Sequence, residues 1–376
     1  RSLVGIFLFG IQTYFLSKLV VYLIRILIFS IDNTLLDQEI FLTFLLGLNI
    51  IDWISILLVI VFQTMLFSIG IQYNKKLINY SAIIVYAGMI IFFLTVFLSD
   101  VKTTTQAFSN ILNFENFLKQ NNILPLITVA STIFAYFSIV IVSFGDFTRY
   151  VNNERDLTKG NLSLILNLII FSFFSIAIVV GSDVFLNQKF QDLDRIFTNP
   201  TDIIGKFDNL QITIVVLFFI IIASASTNLV ANYIPSQYSL INFLPNKLNL
   251  KSASYTISFL ALIVGIFWLT VLSQIGILFF VDTFSCFFGP LFGVIIADYY
   301  LIKNQTLSNK DLYSIENQSA YYYSKGWHIK GTYSIILGFI FSASTIWNTN
   351  LMFLQSYAWI IGAFISWLTY YLLAKK

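Results

Sequence analysis

The chain has 376 residues, 58% of them hydrophobic and only 10% charged, with a formal net charge of +3 at pH 7. Soluble domains carry about 25% charged residues, so the composition excludes an ordinary soluble protein, and a small net charge with no basic block argues against nucleic acid as a partner. With one cysteine, Cys286, and one histidine, His328, the sequence offers neither a disulfide framework nor a Cys/His metal site.

Ten apolar runs follow in chain order, at residues 3–29, 53–71, 80–98, 124–144, 162–184, 211–233, 254–274, 275–302, 331–347 and 351–373. Each is long enough to cross a hydrocarbon core of about 30 Å as a helix. The chain therefore reads as an all-α, polytopic, multi-pass protein of the lipid bilayer, and the 40 Phe residues suit its lipid-facing surfaces. The apolar stretch at 40–50 is too short to span; it is expected at the interface or as an extension of the next helix. The chain starts at Arg1 and runs directly into the first span.

Cytosolic loops collect Lys and Arg. With residue 1 in the cytosol, fourteen of the 21 basic residues, from Arg1 to Lys376, fall on that side, and five (Lys102, Lys119, Lys189, Arg195 and Lys206) on the other. This predicts a cytosolic position for Arg1 and an even number of spans, with the plasma membrane as the expected location.

Lys18 and Arg25 lie inside the first run. Lys18 is about 21 Å from the cytosolic end at 1.5 Å per residue, and Asp282 about 10 Å from the outer end of the eighth run. Their depths coincide, and intramembrane charges are functional candidates. An ion pair between Lys18 and Asp282 near an outer vestibule is the expectation, with snorkelling of Lys18 as the alternative.

The sixth run carries the densest polar signal, LFFIIIASASTNLVANYIPSQY at 217–238. Lipid cannot hydrogen-bond these hydroxyls and amides, so they face other helices, an ion, a substrate or water. Ala223, Ser226 and Thr227, spaced i, i+3 and i+4, share one helical face and offer hard oxygen ligands to a small cation. Asn232 lies about 140° further round a helix of 3.6 residues per turn. Small and hydroxyl residues also serve close helix packing, and both readings stand at this point.

Four motifs then align in order: RSLVGIFLFGIQTY at 1–14, SFGDFTRYVNNERDLTKGN at 143–161, GPLFGVIIADYYLIKNQTLSNKDLY at 289–313 and YYYSKGWHIKG at 321–331. Together they resemble the nucleobase:cation symporter-1 family of uracil, cytosine, allantoin, hydantoin and thiamine permeases, and most of all its uracil/allantoin branch. The resemblance implies a leucine-transporter-like inverted-repeat fold, a single transmembrane transporter domain over residues 1–376, and about ten spans present of about twelve, the opening resembling the family's third span. It implies cation-coupled symport of a nucleobase or related small nitrogen heterocycle, with Na+ or H+ as the coupling ion and no other cofactor. Gln12, Phe137 and Asn232 resemble the family's substrate-binding positions, and Ala223, Ser226 and Thr227 its cation-binding positions, a possible Na+ site. Leu8 departs from the family's usual tryptophan, and Phe137 from its more common tryptophan. Asp146, Arg149, Arg155 and Asp298 read as charged loop anchors. An amino-acid, amine or vitamin carrier on the same fold is one alternative, and a receptor-like or degenerate relative another. No catalytic residues are expected, and the protein is not read as an enzyme.

Overall fold

The computed structural model describes residues 1–32, 34–69, 71–98, 100–111, 120–189, 203–204, 206, 209–314 and 316–375. Lys119, Arg195 and Lys376, which enter the sidedness count, lie outside them. Among the described residues ten helices are long and apolar enough to cross a membrane, one for each run expected from the sequence. They are α1 (Ser2–Ile31), α2 (Ile50–Ser68), α3 (Ile71–Phe97), α4 (Gln120–Val142), α5 (Glu154–Lys189), α6 (Leu210–Phe243), α7 (Leu250–Ile275), α8 (Ile277–Ile302), α9 (Ile329–Trp347) and α10 (Ala358–Ala374). Helix closes every backbone hydrogen bond within its own segment, which lipid requires.

Local chemistry sets several boundaries. Asn49 and Asp52 form a reciprocal capping box that starts α2, and Asn249 and Ser252 form another that starts α7. Gly276, at φ +90°, breaks α7 from α8, one residue beyond the expected boundary; only glycine enters that region freely. The stretch at 40–50 does not lengthen α2. It forms a short helix at Glu39–Leu42 and a turn in which Leu45 and Leu48 pair, before Asn49 caps α2.

The chain folds as two compact units, residues 1–116 with 146–274, and residues 117–145 with 275–376. The first holds α1, α2, α3, α5, α6 and α7. Here α1 packs against α2, α6 and α7. Its approach to α7 is close: a Cβ on Gly10 would lie 2.5 Å from the Ala261 carbonyl oxygen. Phe9, Phe67, Leu229, Tyr233 and Ile257 fill the core beneath that crossing. The loop after α4 ties the ends of two helices, because Arg1 pairs with Asp146 and the Arg149 guanidinium lies 3.9 Å from the ring centre of Tyr238 on α6. These two loop charges thus hold helices in place.

The second unit holds α4, α8, α9 and α10. Small residues line the contact of α8 with α10: a Cβ on Gly293 would collide with the Ala363 carbonyl, and Ser366 Oγ donates to the Pro290 carbonyl at 2.8 Å. Such seams let backbones approach where lipid gives helices no hydrophobic reason to associate. Pro290 stands inside α8, which continues through it. Asp298 accepts from Tyr370 Oη at 2.6 Å and pairs with Lys303 at 2.8 Å. His328, just before α9, lies 3.3 Å from Tyr370 Oη, and burial there lowers its pKa.

Candidate functional site

The polar stretch of the sixth run does not continue as regular α-helix. From Asn228 to Tyr233, α6 widens into a π turn, and the Ile234 N–H donates to the Leu229 carbonyl five residues back. Helix resumes at Ile234, with Pro235 in the first turn, and runs to Phe243, ten residues past the expected end. A π turn inserts a residue into the helical ladder and is frequent at functional sites. It changes the rotation per residue, so the 140° derived for a regular helix does not apply to Asn232. Burial still separates the two positions: Thr227 is exposed while Asn232 is 3% exposed.

The π turn aims two asparagines at α1. Asn232 Nδ2 donates to Gln12 Oε1 at 2.9 Å and to Asn228 Oδ1 at 2.9 Å. Gln12 Nε2 donates to the Ser224 carbonyl at 3.2 Å. Asn228 Nδ2 lies 3.2 Å from Thr13 Oγ1, and Thr13 Oγ1 donates to Gln63 Oε1 on α2 at 2.9 Å. Gln12 and Asn232, expected to serve one substrate, are thus brought into direct contact across 220 residues of sequence. Asn228, Thr13 and Gln63 extend the cluster and were missed. Asn228 stood in the polar stretch, but nothing in the sequence reported its long-range partners. Gln63 Nε2 has no hydrogen-bond partner among the described residues, although buried amides are nearly always satisfied.

Phe137 lies half-buried on α4 in the second unit, with its ring 5.6 Å from that of Tyr136. Leu8, one turn before Gln12, is half-buried and packs on the Ile11, Tyr14 and Trp268 core.

Ser226 Oγ donates to the Ala223 carbonyl at 3.1 Å, so two of the three expected cation ligands are neighbours, and Thr227 follows on the exposed side. These neutral oxygens suit a hard monovalent cation. No three His, Cys, Asp or Glu side chains converge among the described residues.

The expected Lys18–Asp282 pair is corrected. Lys18 Nζ lies 2.7 Å from Asp52 Oδ1, because the first turn of α2 brings a carboxylate to the depth of Lys18 within the same unit. Asp282 instead accepts from Gln355 Nε2 at 2.9 Å within the second unit.

Comparison with known proteins fits this geometry. A sequence model of the permeases for cytosine/purines, uracil, thiamine and allantoin matches residues 1–362. The chain belongs to this family. Among curated members it is 29% identical over 252 residues to an allantoin permease of Bacillus subtilis, covering 67% of this chain and 49% of that protein. It is 24% identical over 255 residues to a purine-uracil permease of Arabidopsis thaliana, covering 64% and 41%. The chain thus spans about half the length of the curated permeases it matches. Among solved structures it resembles Mhp1, a nucleobase-cation-symport-1 family transporter, in a closed conformation with bromovinylhydantoin bound. That likeness has a TM-score of 0.67 at 18% identity and covers 99% of this chain and 73% of that one. The inward-facing form of Mhp1 gives 0.60 at 19% identity, covering 100% and 73%. At such identity the likeness is one of fold, and the leucine-transporter-like fold expected from the sequence holds. The permease family is an integral, multi-pass membrane family, as the ten apolar helices require.

Proposed function

We infer that this chain forms the transporting domain of a cation-coupled symporter for a nucleobase or a related small nitrogen heterocycle such as uracil, allantoin or cytosine. The observation that carries the reading is the amide cluster formed by half-buried Gln12 of α1 with the buried Asn232 and Asn228 of the π turn of α6. Neighbouring donors and acceptors match the paired N–H and C=O edge of such a ring, and helix irregularities near the bilayer midplane are where transporters of this fold hold substrate. Family membership supports the same reading.

In this reading Gln12 and Asn232 hold the ring edge. Ala223, Ser226 and Thr227 hold Na+ if sodium is the coupling ion; a proton is the other candidate. No covalent bond is made or broken. The protein sits in the plasma membrane with Arg1 on the cytosolic side.

The test is saturable uptake of labelled uracil, allantoin and cytosine into proteoliposomes by the full-length protein. Asn232→Ala or Gln12→Ala should each reduce kcat/KM at least tenfold while the protein stays folded. Unchanged uptake in both variants would refute the assigned site, and binding without flux would replace transport with a receptor role.

A further inference from the structure

A cavity of about 470 Å³ opens in the first unit beside the amide cluster. Tyr14, Lys18, Tyr22, Arg25, Asp52 and Ser224 are among the residues that line it. Ser224 connects the two sites, since its carbonyl accepts from Gln12 Nε2. Asp52 is engaged on both oxygens: Oδ1 takes Lys18, and Oδ2 accepts the Asn49 backbone N–H at 3.1 Å. Lys18 is held between that carboxylate and the Tyr14 ring, 5.3 Å from the ring centre, which leaves two of its three N–H donors for the cavity. Arg25, two turns further along α1, lines the same wall and makes no hydrogen bond or ion pair among the described residues. Two cations against one carboxylate leave the wall with one positive charge.

Arg25 is exposed, six residues before α1 ends at Ile31, so its guanidinium is open to a solute. Its planar fork matches a carboxylate two bonds at a time. Tyr22, which is exposed, adds a face on which a ring can stack. Arg25 lies thirteen residues from Gln12, about 20 Å along the helix, so one small solute cannot touch both at once. We propose that this cavity is a capture site for acidic nitrogen heterocycles, which dock an anionic group on Arg25 and Lys18 before passing to the Gln12–Asn232 cluster. The onward step rests on the transport reading; the capture step does not.

The test therefore measures binding in full-length protein carrying Asn232→Ala, which impairs the inner site. The probes are orotate and its methyl ester, which share a ring and differ in charge. Orotate should bind at least tenfold more tightly than the ester, and raising the salt from about 0.05 M to about 0.5 M should narrow the gap by screening. Adding Arg25→Gln should bring the two probes within about twofold, while Arg25→Lys keeps part of the preference. Equal binding of the two probes, or a preference that survives Arg25→Gln, would overturn the capture site and leave the transport reading untouched. If Arg25→Gln does not fold, the salt dependence in the parent decides: a preference for orotate that salt does not narrow overturns the proposal. Failure of the transport reading would show separately, as loss of uptake in the unmutated protein.

Discussion

Thr13 is the hinge of the buried polar cluster. Its hydroxyl donates to Gln63 on α2 and lies within hydrogen-bond distance of Asn228 on α6, and the residue is completely buried. Thr13→Val keeps the shape and removes the hydroxyl, so the Gln63 side chain loses the one hydrogen bond it makes among the described residues. An orphaned buried polar group costs about 1–3 kcal/mol. The thermal midpoint of purified protein should fall accordingly, and substrate affinity should weaken as Asn228 loosens; an unchanged midpoint and affinity would remove Thr13 from the network. Little of this was legible beforehand. Gln12 and Asn232 could be named because their residue types and positions resemble a family pattern. Asp52 and Gln355 could not be named as the partners of Lys18 and Asp282, because depth in a bilayer restricts the choice of partner without selecting one.

At the scale of the helix, the ten spans were readable because a membrane-length apolar run is a strong, additive signal. The π turn was not, since a sequence window assumes one rotation per residue and Asn228–Tyr233 breaks that period. Helix crossings were equally hidden: a glycine in an apolar run marks a possible contact but not its partner. Gly10 shows what such a contact demands. A side chain there meets the Ala261 carbonyl and Val264, so Gly10→Val must push α1 away from α7. Overpacking of this kind costs about 1–3 kcal/mol, and α1 also carries Gln12 and Thr13. The variant should melt earlier and lose uptake even though it touches no substrate. Gly10→Ala should show a smaller effect in the same direction; equal behaviour of both variants and the parent in both assays would mean that the approach of α1 to α7 is not rigid.

For the molecule as a whole, Lys and Arg placement predicts sidedness, and cysteine labelling tests it. The chain's one cysteine, Cys286, is buried, so a low background is expected. Cysteines placed at Lys159 and Lys325 should react with an impermeant maleimide only after the cytosolic face is opened, and one at Lys102 should react from outside in intact cells; the reverse pattern would invert the orientation. A last consequence comes from the way the amides of Gln12, Asn232 and Asn228 bond to one another. A carrier whose binding groups need a solute for their hydrogen bonds meets a barrier whenever it turns over empty, and so tends toward strict exchange. In the transport reading proposed above, the Gln12, Asn232 and Asn228 amides hold one another between solutes, which eases the unloaded return step and favours net accumulation over one-for-one swapping.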